Sequence, residues 1–101
     1  MKLDGHQRRH LRGLAHHLKP TVQVGKAGLT SAVLEAVDEA LATHELIKVR
    51  LAGTKADKKE AISTLEDRLR CAQVGMVGHV GTLYREHPEP EERSVKLPRR
   101  N

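Results

Sequence analysis

Two places in this 101-residue chain combine residue types with a spacing that chemistry can use. The first is Gly25-Lys26-Ala27-Gly28, set between a strand-prone run, Thr21-Val22-Gln23-Val24, and a helix opened by Thr30. Glycines let a backbone approach a ligand with no Cβ in the way. The following helix offers unpaired N–H groups and the positive end of its dipole, both attractive to phosphate. Lys26 adds a mobile cation. A GxxG loop of this kind clamps a nucleic-acid backbone in KH-type modules. The same four residues also suit an ordinary turn, and the motif alone leaves both readings open. The chain has neither GxGxxG for a dinucleotide nor the eight-residue P-loop pattern for ATP.

The second place lies nearer the start. At 100° per residue, Arg8, Arg12, His16 and Lys19 follow one another along a helix, with Arg9 further round. No acid occurs between Asp4 and Lys26, so these groups repel one another unless a counter-anion joins them. Phosphate contact is therefore favoured over a plain solvated face. Seven histidines include His6 and His10 at i, i+4 and the pair His16-His17, but no cysteine or well-placed carboxylate supplies a third ligand. No metal site and no cofactor are expected, and partly protonated histidines suit a polyanion better.

For catalysis the residues are poorly placed. Cys71 ends an amphipathic helix and reads as a small core residue. Glu35, Asp38, Glu39, Glu66 and Asp67 fall on outer helical faces, and Tyr84 belongs to a strand. No Ser/His/Asp order or carboxylate pair emerges in a loop. The expectation is a protein that is not an enzyme, with no catalytic residue and no small-molecule substrate.

Charge is sorted along the chain. Six cations against Asp4 give residues 1–28 a net +5, residues 29–92 carry −4, and Arg93, Lys96, Arg99 and Arg100 give the last nine +4. A polyanion is the partner such sorting fits. An anionic membrane fits less well, because no basic segment carries large apolar anchors, and no apolar run approaches the ~18 residues of a membrane span. Tyr84 is the single aromatic residue. Single-strand binders stack bases on aromatic rings, so recognition here would rest on phosphates, 2′-hydroxyls and shape, which suits structured RNA. One cysteine and no apolar leader point to a cytoplasmic location.

The elements that must hold these groups follow from hydropathy. Hydrophobic residues make up 38% of the chain, enough for one aliphatic core. A first helix from Asp4 to about Leu18 buries Leu11, Leu14, Ala15 and Leu18 and stops before Pro20. Thr21–Val24 is a strand. Thr30 caps a helix to about His44, with Val33, Leu34, Val37, Ala40 and Leu41 inward. Leu46–Leu51 alternates, Ile47, Val49 and Leu51 on one face and Lys48 and Arg50 on the other. A third helix from about Asp57 to Arg70 buries Ala61, Ile62, Leu65 and Leu69. Ala72–Val77 and Val80–Arg85 form a hairpin around Gly78-His79. The prediction is a single-domain α/β sandwich, order α-β-α-β-α-β-β, with helices packed over a mixed sheet. Residues 1–87 form the domain and residues 88–101 an extended basic tail.

His10-Leu11-Arg12-Gly13-Leu14-Ala15-His16-His17-Leu18-Lys19-Pro20, followed by Val24-Gly25-Lys26-Ala27-Gly28-Leu29-Thr30, resembles the CRM domain (chloroplast RNA splicing and ribosome maturation). So do His44-Glu45-Leu46-Ile47-Lys48-Val49, Leu83-Tyr84-Arg85 and the Lys96-Leu97-Pro98-Arg99 tail, and the whole is similar to the bacterial single-domain YhbY type. The resemblance implies a sandwich like the C-terminal domain of a bacterial translation initiation factor. It also implies RNA binding through Gly25, Lys26, Ala27 and Gly28, with Arg8, Arg12 and Lys19 beside them, and association with large-subunit rRNA or its precursor particles in ribosome assembly. Relatives tend to carry lysine where His79 stands. Two other readings remain: a general RNA chaperone or translation-associated factor, and a protein-interaction domain acting through the acidic second helix.

Overall fold

The structure is a computed structural model that describes residues 2–99; Met1, Arg100 and Asn101 lie outside it, so the charge placed on Arg100 does too. Seven elements follow the predicted order: α1 (Gly5–Ala15), β1 (Pro20–Val24), α2 (Ser31–His44), β2 (Leu46–Leu51), α3 (Lys55–Leu69), β3 (Ala72–Val77) and β4 (Val80–Tyr84). The sheet order is β1-β2-β4-β3. The strand–helix–strand unit through α2 makes β1 and β2 parallel. The closing hairpin then inserts β4 antiparallel to both β2 and β3.

Each helix starts where a side chain satisfies its free N–H groups. Asp4 and Gln7 form a capping box on α1, Thr30 accepts from Val33 N on α2, and Thr54 and Asp57 form a second box on α3. That second box starts α3 at Lys55, two residues before the predicted Asp57.

Two cores lie on opposite faces of the sheet. Val37 and Leu41 of α2 and Ile62 and Leu65 of α3 pack on Val24, Ile47, Val49, Leu51 and Leu83. Leu3, Leu11 and Ala15 pack on Leu46, Ala72, Val74 and Tyr84 from the other side. With helices on both faces the predicted sandwich is found, built from aliphatics around one buried ring.

Two expectations need correction. Helix α1 ends at Ala15, three residues early, so Leu18 and Lys19 stand beyond it in the link to β1. Leu18, beyond the helix, and Leu14, on its outer side, are exposed (37% and 41%), and the buried stripe is completed by Leu3 and Gln7 instead. The described residues of the expected extended tail after β4 are also held against the domain. They make a 3₁₀ turn at Pro90–Glu92, and Val95 and Leu97 pack onto the second core. Their anchor is Glu45, buried at the end of α2, whose carboxylate accepts from the backbone N–H of His87, Ser94 and Val95 and from the Ser94 hydroxyl. Farther on, Gln7 Nε2 donates to Pro98 O at 3.0 Å and His10 Nε2 lies 2.9 Å from Lys96 O.

Candidate nucleic-acid interface

Residues paired across neighbouring strands share a face, so the register orders the side chains of α1's face into rows. Leu46, Tyr84 and Ala72 form one row, sealed beneath α1 and the C-terminal strap. Lys48, Thr82 and Gly75 form the next, with Pro20 paired to Lys48. Gln23, Arg50, Val80 and Val77 form the third. Helix α1 covers the first row and part of the second, where Thr82 is buried and Lys48 half-buried, while Gln23, Arg50 and Val77 of the third are exposed.

No acidic residue occurs in α1 or in any of the four strands. Acids sit instead in α2, in α3, at the helix ends and in the strap. The second and third rows and α1 therefore make one cationic face. Arg12 leans on Gly75, where a Cβ would come within 3.3 Å of its side chain; glycine there makes room for the approach. Lys48 Nζ lies 3.4 Å from His16 O, holding the end of α1 against β2.

The sequence-predicted residues distribute as follows. Arg9, Arg12, His16 and Lys19 are exposed, but Lys19 lies outside the helix, so the stripe bends onto the sheet rather than running along one helical face. Arg8 is half-buried, with Nε donating to Gln73 O at 3.3 Å on the edge strand β3. Sequence reasoning did not single out Lys48 and Arg50 as candidates for this face. Their alternation put them on the outer face of β2, and knowledge of how little α1 covers would have singled them out.

The loop after β1 is a β-turn: Gly28 N donates to Gly25 O at 3.0 Å, and Lys26 and Ala27 are exposed. Gly28 has φ +74°, which favours glycine. Gly25 has no such constraint, and a Cβ there would meet nothing within 4 Å. The fold does not require glycine at 25, and its bare backbone beside exposed Lys26 is open to a ligand. One side of this loop is acidic, because a groove of about 630 Å³ runs from Gly25 and Lys26 to Asp57 and Glu60 on α3. A polyanion must reach the turn from the sheet side, where Arg50 pairs with Gln23 two positions before Gly25.

The profile of the CRS1 / YhbY (CRM) domain matches residues 3–85. The chain belongs to the CRM domain family. It is 42% identical over 99 residues to a protein of Haemophilus influenzae named RNA-binding protein, covering 97% of each chain. It is 38% identical over 97 residues to Bacillus subtilis YqeI, named a probable RNA-binding protein, covering 95% of this chain and 99% of that one. The solution structure of the hypothetical protein SAV1595 from Staphylococcus aureus matches with a TM-score of 0.82 at 37% identity, over 96% of this chain and 100% of that one.

Within this CRM domain the remaining reactive groups are structural. Cys71 is buried, its Sγ 3.5 Å from Leu65 O, and burial pushes its thiol up to about 11. Burial likewise pushes Tyr84 up to about 12, with Glu86 and Glu45 adding to the effect. Asp38 pairs with Arg85 at 2.7 Å, and the same guanidinium donates to Leu69 O, so this acid of α2 fastens the CRM fold together. Among the described residues no three His, Cys, Asp or Glu side chains are grouped to hold a metal ion. No described helix is long and apolar enough to cross a membrane.

Proposed function

We propose that this protein binds structured RNA, without catalysis, through Arg8, Arg9, Arg12, His16, Lys19, Lys48 and Arg50 and the turn Gly25–Gly28. The observation that carries the reading is the half-covered sheet face, where cations on α1, β2 and the following loops meet no acid on the strands or α1. A fold needing only solubility would interleave both signs. The names of the relatives support RNA as the polyanion. With one buried aromatic ring there is no stacking platform, so the contacts are to phosphates and shape.

Within that role we infer assembly of the large ribosomal subunit in the cytoplasm, the bound rRNA holding a local fold while the particle matures. The resemblance to the YhbY type supports this. Sucrose-gradient sedimentation of lysate tests it: the protein should travel with free large subunits or their precursors. Sedimentation solely at the top of the gradient would overturn the assembly role, and failure of purified protein to bind rRNA fragments would overturn RNA binding itself.

A further inference from the structure

Helix α3 belongs to the central segment of net charge −4, yet its first turns sort their charges by side. The Thr54–Asp57 capping box fixes the start of the helix, with Asp57 Oδ2 accepting from Thr54 N at 2.9 Å. At 100° per residue, Lys55, Lys58 and Lys59 then fall within one arc, and Asp57 and Glu60 fall opposite. The acids line the groove toward the Gly25–Gly28 turn. The lysines border a different groove, of about 570 Å³, completed by Gln73, Met76 and Gly78 of the β3–β4 hairpin.

Among the described residues none of these lysines has an acid within 4 Å of its ammonium. Lys58 is held in place, its Nζ donating to Gly78 O at 3.0 Å beside His79 Nδ1 at 3.4 Å. Like charges crowded on one helical turn repel, and an anion in the groove relieves that repulsion. Lysine presents a compact charge suited to phosphate and reads no base.

This groove lies on the α2/α3 side of the sheet, away from the face of α1. The two approach each other along the edge strand β3 and at the Gly78-His79 turn, which continues from Val77 and Val80 of the third row. On β3, Gln73 O takes Arg8 Nε, while Gln73 N donates to Glu66 Oε2 at 3.0 Å. At the Gln73 end, Glu66 thus places a carboxylate between the two cationic surfaces.

Resting on the RNA reading above, we propose that the Lys55–Lys58–Lys59 groove is a second, independent site for an RNA sugar-phosphate backbone, so that one molecule joins two RNA segments across its sheet. The test is titration calorimetry with a short RNA hairpin, alongside an energy-transfer assay that mixes donor- and acceptor-labelled hairpins. Wild-type protein should bind two hairpins and bring the labels together, with excess protein separating them again. Because Lys58 also fastens the hairpin turn, the working variant is Lys55→Ala/Lys59→Ala, with a thermal melt as folding control. It should bind one hairpin with unchanged first-site affinity and lose the transfer signal. Arg12→Ala/Lys48→Ala/Arg50→Ala should keep only the other site. One hairpin per wild-type protein, or both variants weakening the same single site, would overturn the proposal while leaving RNA binding intact. No hairpin bound at all would sink the RNA reading as well.

Discussion

On one side of the sheet, α2 and α3 lay Val37, Leu41, Ile62 and Leu65 over residues from β1, β2 and β4. On the other side, α1 and the strap seal one row, Leu46, Tyr84 and Ala72, the next is only partly covered, with Thr82 buried and Lys48 half-buried, and Gln23, Arg50 and Val77 of the third are exposed. The first side carries most of the acids, including Asp38, which is occupied by Arg85. The second carries Lys48, Arg50, Arg12 and His16 with no acid among its strands. A sheet needs one well-sealed face for stability, and antiparallel strands can leave the other in water. The contrast separates acids engaged in holding the fold, such as Asp38, from cations that meet no acid on the strands or α1.

Reversing the open face should have the largest effect. Arg12→Glu/Lys48→Glu/Arg50→Glu is expected to weaken rRNA-fragment binding at least about 100-fold, or about 2.7 kcal/mol. Replacing the same three with alanine should flatten the salt dependence by roughly 0.7–0.9 for each phosphate that is no longer neutralised. Glu35→Gln/Glu39→Gln on α2 should leave affinity essentially unchanged. Filter binding across a salt series measures all three, and equal losses from both faces would dissolve the distinction between them.

The strap tests the sealed part of that same face. Burial alone would raise the pKa of Glu45, but hydrogen bonds from His87, Val95 and Ser94 outweigh it and hold the pKa below the usual 4.5. Its contribution to stability is therefore complete above about pH 4.5 and is lost as pH falls through the lowered folded-state value. Glu45→Gln should cost about 2 kcal/mol at neutral pH, because hydrogen bonds to a charged acceptor are worth about 1.5–3 kcal/mol each and the amide retains some of them. It should also flatten the acid limb of stability against pH, read by denaturant unfolding. An unchanged acid limb would mean the strap is held by Val95, Leu97 and the Gln7 and His10 contacts without the Glu45 charge.

These regions are not equally visible in the sequence. Helix α2 is legible because Val33, Leu34, Val37 and Leu41 keep helical period between a Thr cap and a new strand. The pattern overstates helix α1 because Leu18 continues that period past Ala15, where the helix ends, and because Leu14 keeps the spacing while facing outward. The strap is hidden, since Glu45 grips backbone N–H groups and backbone groups leave no side-chain pattern. Lys48 and Arg50 are visible as an outward pair, but only the structure shows that Arg50 stays exposed while Lys48 reaches the end of α1. Lys55, Lys58 and Lys59 are masked by the negative total of their segment, which says nothing about how one helix turn sorts its charges.

The two glycines of the turn divide on the same line between structure and surface. Gly28→Ala must hold φ near +74°, so it should cost about 1 kcal/mol of stability. Gly25→Ala meets open space at an ordinary dihedral and should leave the thermal midpoint unchanged while weakening RNA binding by a fewfold. Thermal melts beside binding titrations separate the two, and unaltered affinity for the Gly25 variant would reduce the turn to a connector.

The smallest expected effect lies under the sealed row. Tyr84 is fully buried, and its hydroxyl has no hydrogen-bond partner among the described residues. Burying an unpaired hydroxyl costs free energy that an apolar group of the same shape avoids. Phenylalanine keeps the ring that fills the space between Leu3, Leu11, Val74 and the strap. Tyr84→Phe should therefore leave stability unchanged or raise it by up to about 1 kcal/mol, with no change in RNA affinity. Tyr84→Leu, which removes ring volume from the same core, should instead destabilise by about 1–3 kcal/mol. A clear loss with phenylalanine would show that the hydroxyl is paired in solution, and that this face is sealed by a polar contact as well as by packing.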